Sequence, residues 1–91
     1  MLHIVKTVQA LEEVVQVIAE SDQLLLVEQA VYAANSQHKA FSRVKGANTS
    51  VLVADAQARG IANRISPSVR RVDFDGFVEL TVEQPNSVTW E

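Results

Sequence analysis

The sequence predicts a single α/β domain built on a mostly parallel sheet of four to five strands, with helices on both faces. Short runs of β-branched and aliphatic residues alternate with segments of helical periodicity along the whole chain. Three of these runs are continuously apolar, which is typical of strands covered on both faces. No low-complexity tract, repeat or linker-like composition divides the chain, so we expect residues 1–91 to form one domain.

Four runs have the composition of strands. They are LHIV (2–5), QLLLV (23–27), SVLVA (50–54) and VRRVDF (69–74). Only the fourth run alternates enough between apolar and polar residues to suggest an edge strand. The first three are therefore expected in the interior of the sheet.

The segment after the first strand predicts an amphipathic helix. Thr7 is a plausible N-cap, because its hydroxyl can accept a hydrogen bond from a free backbone N–H of the first turn. Apolar residues then recur at spacings of three and four, at Val8, Leu11, Val15 and Ile18. These four residues are expected to face the core.

The second helical segment extends over residues 30–44. Asn35 and Ser36 can interrupt it, since both side chains compete for backbone hydrogen bonds. Gly46 suits the C-terminal cap, because glycine adopts a left-handed backbone without steric cost.

Two further helices complete the pattern. A short one is predicted over residues 55–59, ending at Gly60, and another begins near Asp75 and cannot continue through Pro85. The fourth helix presents four apolar residues, Phe77, Val78, Leu80 and Val82. Alternating strands and helices predict parallel pairing, and we expect the strand order of flavodoxin.

Composition limits the function. Apolar residues make up 47% of the chain, which is rich for so small a domain and predicts that a partner covers part of the surface. The formal charge of −3 argues against direct nucleic-acid binding, which requires a basic surface. No export signal or membrane-spanning stretch is evident, so a cytoplasmic protein is expected. The absence of cysteine excludes disulfides, thiolate metal sites and thiol chemistry by this chain.

The predicted carboxyl ends of the strands gather polar residues: Lys6 and Thr7, Glu28 and Gln29, Asp55, and Asp73 with Asp75. One interpretation is a Mg²⁺ site in a receiver-like signalling domain, with Asp55 as phosphoryl acceptor and Lys6 as charge partner. The other is that these acids cap helix N-termini and complement the helix dipoles. We favour capping, because the first strand ends in Val-Lys-Thr where a receiver needs paired acids.

Other catalytic patterns are missing. The three glycines allow neither a dinucleotide-binding fingerprint nor a P-loop, and no serine stands in a nucleophile-elbow motif. His3 and His38 lack a second ligand at metal-binding spacing and are interpreted as structural. Tyr32 and Trp90 could serve as binding anchors or as core aromatics. No catalytic, cofactor-binding or metal-ligating residue is predicted.

Four stretches in order resemble the TusB/DsrH family of sulfur-relay subunits. They are MLHIV, DQLLLVEQAVYAA, the motif D-x-x-ARG beginning at Asp55, and VDFDGFVELT followed by Trp90. The chain departs from the family at the start of the second helix. The family usually has EDGVYAA there, and this chain has Glu28, Gln29 and Ala30, so the turn is expected to differ slightly.

The resemblance implies a small DsrEFH-like subunit that assembles with TusC-like and TusD-like proteins into a heterohexamer, a dimer of heterotrimers. In such a complex the TusD-like subunit holds the reactive cysteine, receives persulfide sulfur from a TusA-like carrier and passes it, with a TusE-like protein, toward 2-thiolation of the tRNA wobble uridine. DsrH-type relatives serve sulfur oxidation, and some carry a cysteine in the first helical segment, where this chain has none.

The resemblance and the composition together predict a non-catalytic subunit whose partner supplies the thiol. Sulfane sulfur is transferred by thiolate attack, for which Ser, Asp and Glu are no substitute. The partner interface is predicted at Glu28, Gln29, Tyr32, Arg59, Phe77 and Trp90. A Mg²⁺-dependent signalling domain and a homo-oligomeric domain of unrelated role remain as alternatives.

Overall fold

The computed structural model describes all 91 residues. The elements follow in the order β1 (Leu2–Val5), α1 (Leu11–Val17), β2 (Gln23–Leu26), a 3₁₀ helix (Glu28–Ala34), α2 (Phe41–Val44), β3 (Asn48–Leu52), α3 (Val53–Ala58), a second 3₁₀ helix (Ala62–Arg64), β4 (Arg70–Val72), α4 (Phe74–Glu83) and β5 (Ser87–Trp90). The predicted α/β class is confirmed. None of the helices combines the length and the apolar content that crossing a bilayer requires.

The five strands form one fully parallel sheet in the order β4-β3-β2-β1-β5. Flavodoxin has the order 2-1-3-4-5, so that part of the prediction is wrong. The chain steps from β1 to β2, β3 and β4 in one direction across the sheet, and only the last connection returns to the far side of β1. Strand runs read from sequence carry no information about this order.

This strand order explains why the two faces of the sheet are covered unequally. Parallel crossovers are almost always right-handed, so three connections made in one direction place their helices on one face. The single return connection places α4 alone on the other face. The first face, under α1, α2, α3 and the 3₁₀ helix at Glu28–Ala34, holds a cluster of 17 buried residues. The second face holds a cluster of five: Leu2, Leu25, Val27, Val72 and Leu80.

The first two strands lie where the sequence predicts them, and three strand assignments need correction. The third strand ends at Leu52 and the fourth is confined to Arg70–Val72, because α3 and α4 begin at once after them. The fifth strand, at Ser87–Trp90, was not identified as a run, since Ser87 and Thr89 alternate with its apolar residues. Both β4 and β5 are edge strands.

The first helix begins later, and faces the core differently, than its spacing predicts. Thr7 Oγ1 accepts a hydrogen bond from the N–H of Ala10 at 3.2 Å, but it stabilises a turn that precedes the helix proper. Leu11 and Val14 are fully buried, whereas Val15 is exposed. Both choices fit a period of 3.6 residues, so the spacing alone did not distinguish them.

The second helical segment is broken as the sequence allowed. A 3₁₀ helix occupies Glu28–Ala34, and a short α2 follows at Phe41–Val44. Asn35 lies at the break, and its side chain accepts a hydrogen bond from the N–H of Gln37 at 2.9 Å. Gly46, just after α2, has a φ of +91° and confirms the predicted cap.

The remaining helices are close to their predicted bounds. Helix α3 spans Val53–Ala58, starting two residues early, and Gly60 follows with a φ of +72°. Helix α4 begins at Phe74. Of the four apolar residues that the sequence places on it, Leu80 is buried and Phe77 is half-buried, while Val78 and Val82 are exposed.

Candidate functional site at the carboxyl edge of the sheet

The carboxyl ends of the inner strands bring Lys6, Glu28 and Asp55 together, as the sequence predicts. The Nζ of Lys6 lies 3.5 Å from Oε2 of Glu28 and 3.1 Å from Oε1 of Glu91, which follows β5. The N–H of Glu28 donates to Oδ2 of Asp55 at 2.6 Å. Residues from four strand ends are thus joined in one polar network.

Glu28 has a φ of +49° and is the only residue other than glycine in the left-handed region. That conformation costs an L-residue about 1–2 kcal/mol. The hydrogen bond to Asp55 compensates for part of this cost and occupies the first N–H of the 3₁₀ helix. The turn was expected to differ because Ala30 replaces a glycine of the family. The unusual backbone instead lies at Glu28, two residues earlier.

Lys6 is held as a cation. The hydrogen bond to Glu91, its charge and then the charge of Glu28 raise the pKa of the Lys6 amine above its ordinary value. A lysine that acts as nucleophile or base needs the opposite shift. Lys6 therefore serves as an ionic link between the ends of β1, β2 and β5.

Two of the four acidic residues, Asp55 and Asp73, behave as capping groups. Asp55 accepts from the start of the neighbouring 3₁₀ helix, and Oδ1 of Asp73 accepts from the N–H of Gly76 at 2.7 Å as the N-cap of α4. A Cβ on Gly76 would lie 3.0 Å from the Cβ of Val72, so the first turn of α4 packs closely on β4. No three His, Cys, Asp or Glu side chains form a group that could hold a metal ion.

The network of Lys6, Glu28 and Asp55 lines no concave pocket, whereas Asp73 and Asp75 line a surface depression at the end of β4. The structure has three shallow surface depressions, and none is lined by Lys6, Glu28 or Asp55. Small-molecule sites are usually concave and largely apolar. The network is therefore a rim of linked charges at the protein surface.

The two histidines have structural roles, as predicted. The indole N–H of Trp90 donates to Nδ1 of His3 at 3.1 Å, and since an indole nitrogen can only donate, Nε2 of His3 carries the proton and donates to Oδ2 of Asp22 at 2.9 Å. His38 Nδ1 accepts from the N–H of Ala40. These two hydrogen bonds join residues that are far apart in the sequence: Trp90 is 87 positions from His3, and Asp22 is 19 positions from it. No local sequence signal could indicate either bond.

The six residues predicted for the partner interface lie in four places. Glu28, Gln29 and Tyr32 are on the 3₁₀ helix, and Tyr32 is half-buried against the first-face core. Arg59 follows α3. Phe77 packs on the second-face cluster, and Trp90 packs on the first-face cluster from β5. They are therefore not one patch.

One exposed apolar surface, on α4, was not predicted from the sequence. Phe74 is 71% exposed, Val78 44% and Val82 78%, all on α4. The signal was present, because five large apolar residues in ten exceed what one buried face of a helix can hold.

Comparison with known proteins gives consistent matches. A family model described as "DsrH like protein" matches residues 6–87. The curated "Protein TusB" of Salmonella enteritidis PT4 is 36% identical over 77 residues, which cover 82% of this chain and 81% of that relative. The proteins of the same name from Salmonella gallinarum and Salmonella paratyphi B match with the same identity and coverage.

Proposed function

This chain belongs to the TusB/DsrH family, and from that premise we propose that it is a non-catalytic subunit of a sulfur-relay complex. One observation supports this role most directly. At the strand ends where a reactive group would lie, Lys6, Glu28 and Asp55 are engaged with one another, and the chain contains no cysteine. Without a thiolate, these residues have no means of accepting and releasing sulfane sulfur.

The reactive cysteine then belongs to a partner. We assign it to a TusD-like subunit, in a heterohexamer that also contains TusC-like subunits and is built as a dimer of heterotrimers. A TusA-like carrier delivers the persulfide sulfur and a TusE-like protein receives it, for 2-thiolation of the tRNA wobble uridine in the cytoplasm. The name shared by the curated relatives favours this branch. A DsrH-like role in sulfur oxidation is the second candidate, favoured by the name of the family model.

The contribution of this chain is architectural in this proposal. Glu28, Gln29 and Arg59 offer polar contacts to sister subunits, and Tyr32, Phe77 and Trp90 offer aromatic ones, which are common at interface centres. The net charge of −3 fits contact with proteins better than direct contact with tRNA. We expect each contact with a sister subunit to bury at least about 1,000 Å² in total, the lower bound for a stable interface.

Labelled sulfur tests the proposal. The reconstituted complex is incubated with a persulfide donor, and each chain is then weighed by mass spectrometry. Label is expected only on partner chains, and the transfer rate is expected to fall when this chain is omitted, because the cysteine-bearing loop loses its support. A mass gain of one sulfur on this chain contradicts the non-carrier role. Equal rates with and without it contradict the supporting role.

A further inference from the structure

Helix α4 carries an exposed apolar row. Phe74, Val78 and Val82 follow one another at intervals of four residues and therefore lie along one side of the helix. Two of them are more than two-thirds exposed. Scattered exposed hydrophobic residues are normal on a protein surface, but an aligned row of three on one helix is a candidate contact surface.

The row is continuous with the core through Phe77. The rings of Phe74 and Phe77 lie 6.3 Å apart between centroids at a tilt of 45°, a favourable aromatic geometry. Phe77 in turn packs on the second-face cluster. We call Phe74, Phe77, Val78 and Val82 the α4 stripe. It is an outward extension of the less covered face of the sheet.

An acidic row borders the α4 stripe. Asp75, Glu79 and Glu83 each follow a residue of the apolar row by one position, so they line one flank of it. No ion pair of the structure involves any of the three. Helix α4 contains no Lys, Arg or His. Arg70 and Arg71 of β4 line a surface depression together with Asp75 and Glu79, so the three acids of this flank outnumber the two cations beside them.

The charge decides among the possible occupants. A second copy docked through its own α4 stripe would bring three more acids and, from α4 itself, no cation, so the acids at the contact would still outnumber the arginines of β4. A membrane surface is disfavoured as well, because helices that lie on anionic lipid carry Lys and Arg on their polar face. A protein surface with an apolar groove or helix face bordered by Lys and Arg complements both rows.

We propose that the α4 stripe and its acidic flank dock a sister subunit of the relay complex through such a basic-bordered apolar surface. This inference rests on the proposed function, because it takes the partner to be a member of the same assembly. It adds the face that is used and the chemistry of the partner surface.

The test compares α4 with α1, which covers the other face of the sheet. On α4, Val82→Glu places a charge in the stripe and Glu79→Lys reverses the flank. Their controls on α1 are Val17→Glu, at a valine that is 59% exposed, and Glu13→Lys, at an exposed glutamate without an ion pair. Affinity for the co-purified TusC-like and TusD-like subunits is measured by titration calorimetry at low and high salt, after circular dichroism has verified that each variant is folded.

We expect Val82→Glu to weaken binding about tenfold or more, as for a charge introduced into a desolvated contact. Glu79→Lys should weaken it several-fold at low salt and less at high salt, since salt screens the charge complementarity. The α1 controls should stay within about twofold of wild type, the effect of contacts that carry little binding energy.

Three results would overturn the inference. If the α4 variants bind the partners like wild type, the inference fails and the proposed assembly stands. If the wild-type chain itself does not bind them, the proposed function fails and the inference with it. If the α4 variants change only self-association in sedimentation, or only binding to phosphatidylglycerol vesicles, the occupant is a second copy or lipid.

Discussion

The two faces of the sheet differ in how they are covered, although one sheet supplies both. The helices of three connections cover the first face, where 17 residues are buried in one cluster. Helix α4 alone covers the second face, where the cluster has five buried residues. The first face is covered by helices of this chain. The second face ends in an exposed apolar row with an acidic flank. The difference follows from strand order, because crossovers of one hand made in opposite directions fall on opposite faces.

This asymmetry separates two tasks that a small domain has to combine. A chain of 91 residues can build one substantial core, and here that core lies almost wholly on the first face. Three of the six exposed large hydrophobic side chains are on α4, and only there do they form an aligned row; two, Val15 and Val17, are on α1. Stability and association can therefore be changed independently by substitutions on different faces.

The largest expected effect comes from cavities made on the two faces. Leu26→Ala, at a fully buried residue of the first-face cluster, should lower the free energy of unfolding by about 2–5 kcal/mol. Leu80→Ala, on α4, should cost about 2 kcal/mol, because a single covering helix can settle more easily into the space. Urea unfolding followed by circular dichroism measures both. An equal or larger loss for Leu80→Ala would contradict the asymmetry.

A smaller effect is expected at the carboxyl edge. Asp55→Ala removes the acceptor of the Glu28 N–H and should cost about 0.5–2 kcal/mol, the usual value of a helix cap. Asp55→Asn retains an acceptor oxygen and should cost less. Sulfur transfer by the assembled complex should be nearly unchanged in both, provided that they fold and assemble. Loss of transfer with stability and assembly intact would reveal a functional role for Asp55.

The stability of the protein at acid pH should depend on Asp22, which bonds Met1, His3 and Ala19. The N–H of Ala19, then the hydrogen bond to His3 and then the α-amino group of Met1 hold the pKa of this carboxyl well below its usual range. Its folded pKa is thus lower than its unfolded one, so its contribution is complete above about pH 4 and is lost as pH falls further. Thermal melts of wild type and Asp22→Asn should differ more at pH 7 than at pH 2. A difference that grows toward acid pH would contradict this assignment.

The smallest effect is expected from surface changes in the free chain. Val82→Glu on α4 and Val17→Glu on α1 should each change the free energy of unfolding by less than about 0.5 kcal/mol, because both residues are exposed. Melting of the isolated variants measures this. A large loss for Val82→Glu alone would mean that the second face contributes to folding more than its small cluster suggests.

Most of the strands could be predicted because a strand appears in the sequence as a local apolar run. The gathering of charged residues at the strand ends then followed, because the carboxyl ends of parallel strands lie at the same edge of a sheet. The sequence did not predict the positive φ of Glu28, since no feature of a glutamate indicates a left-handed backbone. The bond from Trp90 to His3 depends on β5 returning beside β1, which is a property of the strand order. The exposed face of α4 depends on the same return.

Hydrogen–deuterium exchange tests the central claim most directly. It is measured on the free chain and on the chain in complex with TusC-like and TusD-like subunits. The claim is that the second face is completed by a partner while the first is complete within the chain. Amides of α4, Phe74–Glu83, should gain protection in the complex, and those of α1, Leu11–Val17, should exchange as before. Protection gained on α1 and not on α4 would contradict the account.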